Sequence, residues 1–439
     1  MAKRSIFLTS ILLISFILLF CYSSSAKVYD LDTAIDAALK NSTLIKETLE
    51  KERAAVEHYN ISRDNMFPKV SFQYNYTRLK NRPYTIFSTM GVDRKMDIGD
   101  KNSVQWNTTI VQPIFTGFAL STQKKIANLG IDISQIQRQE AVLDVIKNVK
   151  IAYFNILLSE KYLDVANEEV KQLKSHEKDA ENLYKEGMIA YNDLLKSRVA
   201  LSNAIENRVN AKNNLKFAIS AFNILLENNI NEKISIKEIS SFKPEHFSLN
   251  NLIDEALTKR PEMKQLNISL RQSNLGIKLA KSSYYPQISA FAEYEQTGDD
   301  ITASNNHFNN DHNAMFGVKI NWTIFEFGKK HADVEEQRHN MFALKEKIES
   351  IKDSIRLDVK GAYLKIKTAE ENIKTTKIGL KQAKENYRIT NMQYQQKITT
   401  STEVLDARVY LTQAEINYYN ALYGYYIALA NLKRAVGER

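Results

Sequence analysis

Hydrophobic residues recur at every seventh position along two long stretches of the chain. The bulky members of these rows are Val142, Val149, Ile156, Leu163 and Val170 in the first stretch, and Val359, Ile366, Ile373, Leu380 and Tyr387 in the second. A sustained seven-residue repeat predicts α-helices that pack side by side as in a coiled coil. The first such helix is predicted over 118–184, and at 1.5 Å per residue it would be roughly 100 Å long. We expect it to end near Gly187 and a returning helix to follow over about 190–226.

Apolar and polar residues alternate along four shorter segments, at 70–77, 105–110, 288–294 and 316–322. A period of two predicts β-strands with one apolar and one polar face. The apolar face is rich in aromatic residues, namely Phe72, Tyr74, Tyr76, Trp106, Tyr294 and Trp322, while the polar face carries Gln73, Asn75, Gln105, Asn107, Lys319 and Asn321. The segments form two predicted hairpins, whose connecting loops at 78–103 and 297–312 are polar.

The same order of elements occurs twice. Residues 30–39 recur in modified form at 248–257, and the Phe-Pro pair at 67–68 recurs as Tyr-Pro at 285–286. A repeat of this length indicates two copies of one structural module.

The predicted organisation follows from this repeat. The first copy covers 27–226, with a helix, a β-hairpin at 67–115 and a long helical hairpin at 118–226. The second covers 248–439, with a helix, a β-hairpin at 285–326 and a long helical hairpin at 328–437. Residues 227–247 are the predicted connector between the copies.

The first 26 residues have the pattern of a cleaved secretory signal peptide. Lys3 and Arg4 precede an apolar run over 6–20, and Ser24 and Ala26 occupy the usual small-residue positions before the cleavage point. The run is short for a membrane-spanning helix, which needs about 20 residues. Cys21 raises the alternative of a lipid-modified cysteine, although the bulky residue before it disfavours that reading. We therefore predict an exported protein.

Composition and charge narrow the class of protein. Only 13 Gly and 6 Pro occur in 439 residues, which indicates few turns and argues against an α/β enzyme with many tight connections. The net charge of +9 comes from mixed charges, as on solvated helix faces, and does not predict nucleic-acid binding. No phosphate loop, catalytic triad or dinucleotide motif is present, and the histidines lack the usual zinc spacing. We expect no catalytic residue, cofactor or metal site.

Four strands cannot span a membrane alone, because their edges leave backbone N–H and C=O groups unpaired and lipid offers no partners. The sheet therefore either packs under helices in a soluble protein or joins strands from other copies. The aromatic face favours membrane contact, since Tyr and Trp mark the rims of membrane barrels. The six aromatic residues of that face are our predicted lipid-facing positions.

The chain resembles the TolC family of outer-membrane efflux proteins. The resemblance covers the whole predicted mature chain. It is carried by QPIFTG at 112–117 and WTIFEFG at 322–328 where strands meet helices, and by YKEG at 184–187 and EVLDA at 403–407 near the helical tips. Each motif is weak alone, but the two ordered sets are specific.

The resemblance implies a mainly α-helical fold with a small transmembrane β part. Three chains would form a 12-strand β-barrel in the outer membrane of a Gram-negative bacterium and an α-barrel of coiled-coil helical hairpins in the periplasm. The homotrimer would pass substrates from an inner-membrane pump and a periplasmic adaptor protein to the exterior. Drug efflux, metal efflux and type I protein secretion share this architecture, and the cargo stays open.

The resemblance also implies roles for residues at the tips. Gly187 and Lys397 fall at the turns that would contact the adaptor. The pore entrance would be lined or held shut by Asp193, Tyr394, Glu403 and Asp406. Thr399 stands where the family has a basic partner, so the family's ion-pair latch is not expected in the same form.

Two other classes of function fit the sequence less well. A periplasmic coiled-coil adaptor or scaffold also carries helical hairpins, but adaptors usually include a Gly-rich β-domain, and the few glycines are spread evenly. An exported enzyme has no supporting motif. An outer-membrane duct without catalytic activity is therefore the predicted function.

Overall fold

The computed structural model describes residues 27–239 and 244–438. The predicted signal peptide at 1–26, with Cys21, lies outside these residues. The described helices are α1 (Leu31–Asn41), α2 (Thr43–Asp64), α3 (Ala119–Lys185), α4 (Tyr191–Leu225), α5 (Leu249–Lys259), α6 (Pro261–Lys281), α7 (Lys329–Gln395) and α8 (Ser401–Val436). Both α3 and α7 contain 67 residues, and α3 ends two residues before Gly187, so the predicted long helices are confirmed. No helix within 27–239 or 244–438 is long and apolar enough to cross a membrane.

The described strands are more numerous than the four that were predicted. They are β1 (Lys27–Tyr29), β2 (Lys69–Arg78), β3 (Tyr84–Thr89), β4 (Val92–Asp97), β5 (Asn102–Thr116), β6 (Ile234–Ile236), β7 (Gln287–Gly298) and β8 (His312–Asn321). The chain groups into two compact units, each built from both halves of the sequence. The sheet unit contains Thr48–Arg138 and Pro261–Lys352, and the helical unit contains the remaining described residues.

The sheet unit holds one four-stranded antiparallel sheet in the order β2-β5-β7-β8. The predicted hairpin pairs β2–β5 and β7–β8 are therefore confirmed. Their register places Phe72 opposite Thr108, and Thr108 opposite Tyr294, so these residues share one face. On this face the Trp106 ring lies 5.9 Å from Phe72 and 5.5 Å from Tyr294 between ring centroids.

The polar residues share the opposite face, as the alternation predicted. Gln73 pairs with Asn107, and Asn107 pairs with Glu295. The Asn107 side chain donates a hydrogen bond of 2.9 Å to Glu293, and Gln105 donates one to Glu295. One face of the sheet is therefore aromatic and aliphatic, and the other is hydrogen-bonded and polar.

Two predicted aromatic positions have polar contacts that the sequence did not indicate. The Tyr74 hydroxyl donates a hydrogen bond to the Ile301 carbonyl oxygen at 2.8 Å, and the Trp106 indole N–H donates one to the Thr302 carbonyl oxygen at 3.3 Å. The loop after β7 thus contacts the aromatic face. Trp322 follows the last residue of β8, and its indole donates to the Tyr284 carbonyl oxygen at 3.1 Å.

The loop predicted over 78–103 is not wholly irregular, because it contains the β3–β4 hairpin. The strands meet at Met90 and Gly91, whose φ angles of 54° and 81° are both positive. Such a two-residue turn matches the twist of paired strands and favours Gly at its second position. A second difference lies in the predicted connector, where Ile234–Ile236 pairs in parallel with Lys27–Tyr29.

The helical unit has its core along the predicted seven-residue rows. Six of the ten bulky row residues are buried and the other four are half-buried. Around Val149 and Ile156, both fully buried, the core adds Tyr153 and Phe222. The Tyr153 hydroxyl donates a hydrogen bond of 2.6 Å to the Lys237 carbonyl oxygen, which satisfies its polar group within the core.

A buried arginine of this unit contacts two other helices and a carboxylate of its own helix. Arg408 of α8 is 1% exposed, donates a 2.8 Å hydrogen bond to Gln172 of α3, and lies 5.7 Å from the ring centroid of Tyr387 of α7. Its other terminal nitrogen is 3.7 Å from a Glu415 oxygen. Burial raises the pKa of Glu415, although Arg408 opposes that shift. Removing Arg408 or Glu415 alone would leave a charge buried without its partner, which is costly.

We predict that Arg408→Met destabilises the protein by about 3–5 kcal/mol and that Arg408→Met with Glu415→Leu recovers most of this loss, because two apolar side chains then replace the ion pair. Urea unfolding of the detergent-solubilised protein, followed by circular dichroism, measures both variants. Equal losses in the single and double variants would contradict this account.

Candidate gate at the helical tips

The two long helical hairpins turn through the same backbone geometry. In the first, the Gly187 N–H donates to the Tyr184 carbonyl oxygen at 2.9 Å and the Met188 N–H donates to the Leu183 carbonyl oxygen at 2.8 Å. In the second, Lys397 and Ile398 make the equivalent bonds to residues 394 and 393, both at 2.9 Å. This pattern is the Schellman motif, which ends a helix with a residue in the left-handed conformation.

Gly187 and Lys397 occupy that left-handed position, with φ angles of 74° and 64°. Glycine adopts this conformation without strain, whereas a residue with a Cβ atom pays about 1 kcal/mol. The second turn therefore keeps a lysine at an energetic cost. The side chains of Met188 and Ile398, one residue further on, are 54% and 68% exposed.

The predicted acidic gate residues differ in their surroundings. Asp193, near the start of α4, lies 3.4 Å from the Lys196 ammonium of the same helix. The Lys196 ammonium also donates a 3.2 Å hydrogen bond to Thr402 of α8, so it connects the two returning helices. Glu403 and Asp406 are exposed, and neither has an ion-pair partner in the described part of the chain. Uncompensated carboxylate charge is thus concentrated on the first turns of α8.

Tyr394 is buried rather than presented at the surface. It is 3% exposed, and its ring centroid lies 4.7 Å from that of His176 of α3. The His176 Nε2 atom lies 2.8 Å from the Ser401 hydroxyl, which lies 3.1 Å from the Ser197 hydroxyl. All four residues are buried. They form a polar cluster that joins α3, α4, α7 and α8 just inside the two turns.

His176, Ser197 and Ser401 were not predicted as site residues. The seven-residue row continues from Val170 to Glu177, but the buried position is His176. His176 lies three residues after Leu173 and four residues before Ala180, which are both buried. Residues three and four apart share one face of a helix, so the burial of these two neighbours is the signal that could have indicated a buried histidine.

Burial lowers the pKa of His176 from 6.5 to about 4, and it raises the pKa of Tyr394. The buried His176 Nδ1 atom has no hydrogen-bond partner in the described structure, and the same is true of the Tyr394 hydroxyl. The neutral imidazole is therefore the form that this packing accommodates. Protonation would place an uncompensated charge among the four helices.

We predict that acid loosens the tips through His176. Its folded pKa is depressed, so the stabilisation present above pH 6.5 declines as the pH falls and is lost by about pH 4, a change of about 3 kcal/mol. Amide hydrogen exchange of 172–180 and 394–405, corrected for intrinsic rates, should show the loss. His176→Gln should remove most of the pH dependence. The same pH dependence in that variant would assign it to the nearby carboxylates instead.

Comparisons with known proteins identify the family. Residues 34–222 and 252–438 match the family described as outer membrane efflux protein. The chain is 22% identical over 419 residues to outer membrane protein TolC of Escherichia coli (strain K12), covering 91% of this chain and 80% of the relative.

Solved structures share the fold. The outer membrane channel CmeC of Campylobacter jejuni superposes with a TM-score of 0.77 at 18% identity, over 93% of this chain and 85% of that one. A membrane protein from Pseudomonas aeruginosa gives a TM-score of 0.76 at 17% identity, over 93% of each chain. Because the family match covers most of the sequence in two segments, this chain belongs to the outer membrane efflux protein family and is an outer-membrane efflux channel.

Proposed function

We propose that three copies of the chain form one continuous duct, with the sheets closed into a β-barrel in the outer membrane and the helical hairpins extending into the periplasm. The observation that carries this proposal is the sheet itself. Its outer strands, β2 and β8, each contain 10 residues and have no strand partner on their outer edges within the described chain. A transmembrane strand needs about 9–11 residues.

The geometry of the sheet supports closure by further copies. All neighbours are antiparallel and the strand number is even, so β8 of one copy meets β2 of the next in an antiparallel pair. Two copies would give eight strands, and a barrel of that size is filled by its own side chains. Three copies give twelve strands and leave an open lumen, which the polar face would line. The resemblance to the TolC family, which implies a trimer, also supports three copies.

In this duct the acidic first turns of α8 lie at the periplasmic entrance. Three copies of Glu403 and Asp406 would place six carboxylates around a narrow opening and attract cations. Asp193 contributes less to this ring because Lys196 lies beside it. Tyr394 acts from inside the wall, through its contact with His176, rather than as a surface latch.

The turns at Gly187 and Lys397 are the proposed contact surface for a periplasmic adaptor, which links the duct to an inner-membrane pump. Met188 and Ile398 support this role because they are large apolar side chains that remain exposed at the turns. The duct itself would be passive, and the pump would supply the energy for efflux or type I secretion. In this proposal a cleaved signal peptide directs export of the chain in a Gram-negative bacterium. The family match does not favour the alternative of a periplasmic scaffold without a pore.

The assembled duct is tested by fractionation and by planar-bilayer recording of the purified full chain. We expect a heat-modifiable oligomer in the outer-membrane fraction that opens discrete ion-conducting channels. A soluble monomer that produces no conductance would refute the duct and favour the scaffold.

We predict that Glu403→Gln with Asp406→Asn reduces the cation preference of the channel, because it removes six charges from the proposed entrance. The reversal potential in a salt gradient measures this preference. Glu349→Gln with Asp353→Asn is a matched control, since both carboxylates lie on α7 beside cations at 2.8 Å and 2.6 Å. A reversal potential that is unchanged by the α8 pair, or changed equally by the control, would contradict the acidic ring.

A further inference from the structure

A cationic groove lies in the sheet unit, immediately beyond the ends of the strands. Its cavity of about 630 Å³ is bounded by α2, α3 and α6. Four cations line it, namely Lys124 and Lys125 of α3 and Arg271 and Lys278 of α6. No acidic side chain lines this cavity. Two apolar side chains also line it, namely Met66, which is 37% exposed, and Leu129, which is 6% exposed.

The sequence leaves these cations unpaired. No Asp or Glu occurs within 101–131 or within 263–292, the two segments that supply the four residues. Consequently none of the four has a carboxylate three or four positions away, and none has an ion-pair partner in the described structure. Cations on α7, by contrast, have carboxylate partners: Arg356 lies 2.6 Å from Asp353, and Arg388 lies 2.7 Å from Glu385. Four like charges in one groove repel each other unless an anion joins them.

Side-chain contacts fix the three helices that line the groove relative to one another. The Gln272 side chain of α6 donates a 3.1 Å hydrogen bond to the Ile126 carbonyl oxygen of α3, between the two pairs of cations. The Lys124 ammonium lies 5.7 Å from the ring centroid of Tyr59 of α2. These contacts connect all three helices at the groove, so the cations are presented by a packed framework rather than by a loop.

The position of the groove favours a lipid headgroup. The strand β5 ends at Thr116 and α3 begins at Ala119, so Lys124 lies roughly 8 Å along the helix from its start. The polar headgroup layer extends about 5–8 Å beyond the hydrocarbon core of a bilayer. If the sheet spans the hydrocarbon core, these lysines lie at the level of the inner-leaflet phosphates.

We propose that this groove binds the phosphate headgroup of an anionic phospholipid from the inner leaflet of the outer membrane. The four cations hold the phosphate, and Met66, which lines the groove three residues before β2 begins, contacts the glycerol and upper acyl carbons. This inference rests on the outer-membrane location of the duct. The chain would then bind a lipid specifically where its helices follow the ends of the strands.

Binding of phosphatidylglycerol and phosphatidylcholine to the purified full-chain oligomer in detergent, measured by native mass spectrometry, tests the groove. We expect the native protein to prefer phosphatidylglycerol by roughly tenfold or more, since each nearby cation contributes to binding of anionic lipid. The variant Lys124→Gln, Lys125→Gln, Arg271→Gln, Lys278→Gln should reduce this preference to less than about twofold. Arg271→Lys alone should retain most of it.

The matched control removes four cations that have carboxylates beside them on α7, by Lys352→Gln, Arg356→Gln, Lys374→Gln and Arg388→Gln. The net charge change is identical, and the lipid preference should persist. Equal losses in the two variants would overturn the groove, as would a native protein without preference. Displacement of the lipid by millimolar inorganic phosphate would overturn the lipid assignment and indicate a site for free anions. Conductance distinguishes this inference from the proposed duct, because the groove variant should still form channels.

Discussion

The outer edges of β2 and β8, which no strand of the described residues covers, are the constraint on which the rest of the structure depends. On each of these 10-residue strands, alternate residues direct their backbone N–H and C=O groups away from the sheet, and a hydrocarbon environment supplies no hydrogen-bond partners for them. In the proposed barrel, the strands of one chain therefore need strands from other copies. The even number of strands and their antiparallel order make the two edges complementary. The two sequence copies each contribute one hairpin, and the pairing of β5 with β7 covers one edge of each hairpin within the chain.

The helices meet a different requirement, because long amphipathic helices can slide past each other when their contacts are uniformly apolar. Specific polar contacts in the helical unit oppose such slippage. Arg408 contacts Gln172, Tyr387 and Glu415 from one position, and the His176 cluster joins four helices near the turns. A shift of one helix along another would break each of these contacts. Stability comes mainly from the apolar rows, and the buried polar groups select the alignment.

The seven-residue rows of the helices and the two-residue alternation of the strands could be predicted because each depends only on the local repeat of the backbone. Val149 and Ile156 are buried where the seven-residue repeat placed them, and Phe72 and Gln73 lie on opposite faces as the two-residue period required. The missed features depend on contacts between distant segments. The β1–β6 pair joins residues about 200 positions apart, and His176 meets Ser401 from another helical hairpin. No local pattern specifies such a partner.

The β3–β4 hairpin was missed for a different reason, because the sequence at its turn is compatible with both a loop and a hairpin. Gly91 is typical of a loop and also of a two-residue hairpin turn, and only the pairing of 84–89 with 92–97 decides between them. The gate shows the same ambiguity in charge. Asp193 and Glu403 occupy equivalent places in the two repeats, yet Lys196 lies beside the first and no ion-pair partner of the second is found in the described chain. Sequence equivalence between the repeats thus predicts backbone position well and electrostatic role poorly. The two halves share one fold while their tips present different charges, and this asymmetry concentrates the acidic character of the proposed entrance on α8.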